Sequence, residues 1–191
     1  MTPTQRIVIR IKKNKDGGTS LSCARADGTV TWQRQEGKQA AFFPKHDLTH
    51  CAVESVLAQD QGFYGLVAAG WNFSDFGTPW PRGKLPTDAN VSEMIVGFFD
   101  LERQSGETNS ASELNRRIGE YCAEHGLQSR HQLTEEDLTR IRMRREELFA
   151  KWDSVLPGDA LEIPFEMERE AEGGWREAGG GKREAGGGRR S

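Results

Sequence analysis

Arg6-Ile7-Val8-Ile9-Arg10-Ile11-Lys12-Lys13 alternates apolar and polar side chains with a period of two. Ile7, Ile9 and Ile11 fall on one face, Val8, Arg10 and Lys12 on the other, as in a strand with one packed and one wet side. Asn14-Lys15-Asp16-Gly17-Gly18 is turn chemistry. A second run over 19–25 puts Leu21 and Cys23 on one face, Asp27-Gly28 is a hairpin signal, and 29–34 is rich in β-formers. Glu36-Gly37-Lys38 reads as another turn. Residues 39–43, ending in Phe42-Phe43, then read as a fourth strand, broken by Pro44. The expectation is an antiparallel meander of four strands.

Beyond the meander the period changes to that of helices. One is expected over about 46–58 and one over about 88–103, with Asn90 and Glu93 at capping-box spacing. A third covers about 111–125, opened by Ser110 with Glu113 and closed by Gly126. The fourth covers about 135–155, opened by Thr134 with Asp137. In it Leu138, Ile141, Leu148, Trp152 and Val155 form an apolar stripe interrupted by Arg145. Residues 160–167 read as a last strand, and Pro164 assigns it to a sheet edge. Residues 62–71 are apolar and punctuated by glycine, compatible with a buried strand, a short helix or a tight loop. Residues 72–86 hold three prolines and two glycines and read as a loop. The fold class is therefore α+β: an antiparallel sheet packed against about four helices. Residues 1–167 read as a single domain. From 168 the composition shifts, and Arg-Glu-Ala-Gly-Gly-Gly occurs at 176–181 and again at 183–188, which reads as a flexible Gly-rich tail.

The bulk numbers narrow the function classes. The chain has 191 residues, a formal net charge of -3 and a mean hydropathy of -0.71. Nothing global argues for nucleic acid or an anionic membrane as partner. No apolar run approaches the roughly 18–20 residues that span a bilayer. The N-terminus enters the first strand directly, without the pattern of a signal peptide. The three cysteines, Cys23, Cys51 and Cys122, are odd in number and widely spaced, which fits a reduced, cytoplasmic chain.

One segment has the composition of a chemical site: His46-Asp47-Leu48-Thr49-His50-Cys51-Ala52-Val53-Glu54. On a helix, His50 lies about 40° from His46, Glu54 about 80° and Asp47 about 100°. The four share a quadrant that borders the apolar arc of Ala52, Val53, Val56 and Leu57, as at a cleft rim. Two histidines at i and i+4 can reach one metal ion, and Glu54 could complete the ligand set. Zinc or another divalent transition metal is the matching cofactor. Asp47 could orient a histidine or serve as a base. Trp71 and Phe73, in the following loop, could wall the pocket. The same residues also support a metal-free polar cluster, or a structural one in which histidines and carboxylates pin the helix to the sheet within an interaction or regulatory module. The partner would be a small molecule or a protein.

His46-Asp47-Leu48-Thr49-His50 resembles the H-E-x-x-H motif of zinc metallohydrolases, with aspartate where that family has its glutamate base. The resemblance implies His46 and His50 as ligands and a hydrolytic activity. Residues 43–71 also resemble a motif of small bacterial proteins without an assigned activity, in which H-D-L-T-H precedes a glutamate and a Gly-rich aromatic stretch.

Other residues carry weaker signals. Glu93 and Asp100 could supply outside ligands, but read first as a cap and a solvated acid. Cys51 reads as a small core residue, since adjacent helical side chains diverge. His125, at a helix C-terminus, and His131, in a loop, have no partner at ligand spacing. Arg140, Arg142, Arg144 and Arg145 read as a solvated face with local ion pairs.

Overall fold

The computed structural model describes residues 5–129 and 132–167; His131 and the tail from 168 lie outside the described residues. It is an α+β fold. Strands β1 (Gln5–Lys13), β2 (Thr19–Arg25), β3 (Val30–Gln35) and β4 (Ala160–Met167) form one antiparallel sheet in the order β3-β2-β1-β4. The period-two reading of β1 holds. Ile9 sits between Cys23 and Ile163, and Ile11 between Leu21 and Leu161. Ile7, Ile9, Ile11, Leu21, Cys23, Ile163 and Phe165 are all buried on the packed face. Pro164 lies on an edge strand, where its missing N–H costs no ladder bond.

The meander has three strands, not four. After β3 the chain turns at Gly37, whose φ of 56° favours a residue without a Cβ. It then enters α1 (Gly37–Leu57), a helix that includes residues 39–43 and carries Pro44 inside it. Pro44 has no N–H for the Ala40 carbonyl and disfavours the helix locally. Packing decides the matter: α1 lies against the sheet and against the later helices. Residues 47–54 are buried without interruption, two full turns of helix on every side. The expected cleft-rim helix is thus the central helix of the fold, and its polar side chains must find partners inside the protein.

Among the described residues four further helices follow, of which the first, second and fourth pack on α1 and the third packs on the second. Residues 62–71 resolve as the short helix α2 (Phe63–Ala68) with its flanking turns, and a single 3-10 turn (Phe73–Phe76) interrupts the loop that follows. Helix α3 (Thr87–Ser105) starts at Pro86 rather than at Asn90, whose side chain donates to the Pro86 carbonyl at 3.1 Å. Glu93 is therefore not a capping residue. Helices α4 (Ala111–His125) and α5 (Glu135–Asp153) begin at the expected caps, Ser110 and Thr134. The basic run of α5 is not all solvated. Arg142 grips the Glu102 carboxylate of α3 at 2.7 and 3.2 Å, while Arg145 is buried. Arg145 reaches Thr49 Oγ1 of α1 at 3.2 Å and the Phe99 carbonyl of α3 at 2.9 Å. That guanidinium ties α5 to α1 and α3.

Glycine explains how α2 fits. A Cβ at Gly62 would lie 2.5 Å from the Glu54 carboxyl carbon, and one at Gly65 would lie 2.3 Å from the Asp60 carbonyl oxygen. Both positions are close approaches that only glycine allows. Gly65→Ala meets backbone, which cannot swing aside. It should destabilise the protein by about 1–3 kcal/mol, towards the upper end of the usual cost of overpacking, read as a lower urea midpoint at unchanged m-value. An unchanged midpoint would contradict the packing described.

Candidate metal centre

His46 and His50 stand one turn apart on α1 and face α3. Their rings meet edge to face with centroids 4.9 Å apart. Each ring is held at Nδ1 by a carboxylate. His46 Nδ1 lies 2.7 Å from Asp100 Oδ2, and His50 Nδ1 lies 3.1 Å from Glu54 Oε1. Both Nε2 atoms then turn to the same group, Glu93 on α3. His50 Nε2 is 3.0 Å from Glu93 Oε2, and His46 Nε2 is 3.8 Å from Glu93 Oε1. The three donor atoms lie within 4.8 Å of one another. Tetrahedral zinc ligands at about 2.0–2.2 Å would be roughly 3.3–3.5 Å apart, so binding would draw the donors together by up to about 1.5 Å at the widest pair. Glu93 is the member with most room to move, because its side chain is 61% exposed while that of Asp100 is 6% and that of Glu54 fully buried.

The sequence-predicted residues divide. His46 and His50 come together on the face expected. Glu54 does not stand beside them as a third donor. It lies behind His50, and its second oxygen accepts the Tyr64 and Gly65 N–H groups at 2.8 and 3.2 Å. These are orphan donors of the first turn of α2, so Glu54 caps that helix from outside while orienting the imidazole. Asp47 is buried beside the cluster, and its backbone carbonyl accepts from the Tyr64 hydroxyl at 3.3 Å. Its carboxyl makes no hydrogen bond among the described residues. Phe63 packs on the His50 ring at 5.4 Å, and Phe42 stacks on His46 at 5.5 Å. Phe73 stacks on Phe63, and Trp71 packs against Phe76, which itself touches Phe63. Trp71 and Phe73 therefore back the inner wall rather than form it.

Glu93 and Asp100 are the residues that sequence reasoning undervalued. They are seven apart, on one face of α3, but nothing in the chain says that this face meets the histidines. Cys51 is a core residue as expected, and burial pushes its thiol up to about 12. His125 binds the Tyr121 carbonyl of its own helix and takes no part.

Electrostatics define two states of the cluster. Burial works against charge on His50, but its hydrogen bonds to Glu54 and Glu93 prevail and raise it to about 10. Burial lifts the Asp47 carboxyl to about 7 against the attraction of both histidines. The His50 hydrogen bond holds Glu93 below its usual range. Burial also opposes charge on Asp100, yet His46 and Arg103 hold it low. Without a metal, an imidazolium at His50 balances the surrounding carboxylates. Comparison with family models, with curated proteins and with solved structures finds no match for the chain.

Two outcomes follow from this arrangement. The folded state binds the His50 proton more tightly than the unfolded chain, where the pKa is about 6.5. Its contribution to stability is therefore complete below about pH 6.5 and lost as pH rises towards 10. Thermal melts in a chelator should show Tm falling across that window, with His50→Gln flattening the slope; a rising Tm would contradict it. In Glu54→Gln an amide N–H faces Nδ1, which moves the ring proton to Nε2 and blocks it as a donor. Metal affinity should drop about 10–100-fold, measured by competition with a chromogenic chelator, as when the partner that orients a metal-ligating histidine is lost.

Proposed function

We propose that this protein binds a divalent transition metal, zinc by default, through His46 Nε2, His50 Nε2 and Glu93, and that it is a metal-dependent hydrolase. The observation that carries the reading is the pair of carboxylate-anchored imidazoles. Histidines that ligate metal almost always donate the remaining ring N–H to a carboxylate, a backbone carbonyl or water. Here Asp100 and Glu54 do this for both rings at once and leave both Nε2 atoms converging on an exposed glutamate. The donor set, two imidazoles and one carboxylate, suits zinc and neighbouring metals. Three protein ligands leave a position for water, whose pKa zinc lowers to about 7, and that supports hydrolysis as the reaction class. Asp47, the carboxyl of the cluster without a hydrogen-bond partner among the described residues, is the candidate to accept a proton there.

The second reading rests on the same 3.0 Å contact between His50 and Glu93, taken as a metal-free ion pair that fastens α3 to α1. The two readings respond differently to substitution. Protein purified without a histidine tag should carry or take up about one equivalent of zinc. Glu93→Gln and His46→Ala should abolish that binding while the chain stays folded. Uptake should release protons, because ligands must shed them, and affinity should rise with pH. Calorimetry in buffers of different ionisation enthalpy reads this directly. No zinc uptake at pH 8, together with loss of folding in Glu93→Gln, would replace the metal reading by the structural one.

A further inference from the structure

Helices α1 and α3 bring the cluster together with one small residue between its members. The α1 side runs Phe42, His46, His50, with Phe63 of α2 beyond. The α3 side runs Arg103, Asp100, Gly97, Glu93. Gly97 lies one turn beyond Glu93 and just before Asp100, on the same helical face. The His46 ring reaches Asp100 with one nitrogen and approaches Glu93 with the other, so it spans the position of Gly97. A Cβ at Gly97 would have no neighbouring heavy atom within 4 Å. Helical side chains lean towards the N-terminus, so any side chain here would project towards Glu93 and the two Nε2 atoms. Unlike Gly62 and Gly65, this glycine is not demanded by a close approach. It leaves open space on the face of α3 that carries Glu93 and Asp100.

We propose that the Gly97 gap is the substrate pocket of the metal centre, and that it takes a small uncharged donor with an apolar group, such as the carbonyl of an ester or amide. The proposal rests on the metal reading. Charge selects the ligand class. A dication, Arg103 and Arg145 stand against the carboxylates of Glu93, Asp100, Glu54 and Asp47, so charge is near balance and an anion finds no strong attraction. The rims select the apolar group: Phe42, 36% exposed, flanks His46 at one end, and Phe63 flanks His50 at the other. A larger residue at 97 would leave the metal ligands in place and close the pocket.

The test uses the full chain loaded with cobalt(II), whose visible spectrum reports added ligands. Cobalt uptake by the wild type is measured first, and failure there overturns the metal reading and this one with it. Imidazole, small and neutral, should then shift the spectrum. Azide should leave it unchanged at concentrations where imidazole saturates. Gly97→Leu and Gly97→Gln, both better helix formers than glycine, should keep the cobalt stoichiometry and lose about tenfold or more in imidazole affinity. Gly97→Ala should behave as wild type. If one large variant does not fold, the other carries the test. Wild-type imidazole affinity in the folded large variants, or azide binding as readily as imidazole, overturns the pocket.

Discussion

A carboxylate with no access to water must be satisfied by donors inside the protein, and Glu54 is such a group. One oxygen faces the His50 ring, and the other accepts two backbone N–H groups from the start of α2. Three parts of the molecule depend on it. Helix α2 is too short to be stable alone and is anchored at its N-terminus by this charge. Gly62 must be glycine because the carboxyl carbon occupies the place of a side chain. His50 has its tautomer and direction set. At the other end of α2, the Arg25 guanidinium of β2 binds the Val67 and Trp71 carbonyls, so the segment is held to both the central helix and the sheet.

The same constraint accounts for the density of charge around α1. A helix buried on all sides is normally apolar all round. This one carries Asp47, Thr49, His50 and Glu54 in its buried turns. Each neighbour contributes to their upkeep: α3 brings Glu93 and Asp100, α5 brings Arg145 to Thr49, and α2 brings the Tyr64 hydroxyl and its N–H groups. A purely structural role would be met as well by apolar residues of similar size, which often stabilise as much as a buried ion pair does. The concentration of ionisable groups at one spot is what sites of chemistry share.

The sheet was legible because its signal is local. Alternation in 6–13 and the turn at Asp27-Gly28 act between residues close in sequence, and so do the caps at Ser110 and Thr134. What misled was also local. Phe42-Phe43 before Pro44 has the look of a strand end, yet tertiary packing carries the helix through the proline. The site was half legible for the same reason. His46 and His50 announce themselves at helical spacing, whereas Glu93 and Asp100 acquire meaning only when α3 is laid across α1. Asn90 then offered Glu93 a plausible local duty as a cap, which hid its long-range one. Glu54 lay in the right segment, but its direction depends on where α2 docks.

Proton and metal compete for the same imidazole, and the surroundings favour a positive charge there without specifying which. An imidazolium at His50 satisfies Glu54 and Glu93 in the metal-free chain. A dication at Nε2 would satisfy them too, because the Nδ1 proton given to Glu54 is kept in both states. In the metal reading Asp100 and Glu54 would keep their hold on the two rings, and the exposed Glu93 carboxylate is the group with most freedom to adjust. Preorganisation of this kind puts the cost of assembling the ligands into folding rather than binding. In the metal reading it also accounts for the exposure of Glu93. A site whose last ligand swings in from the surface can be loaded after the protein has folded.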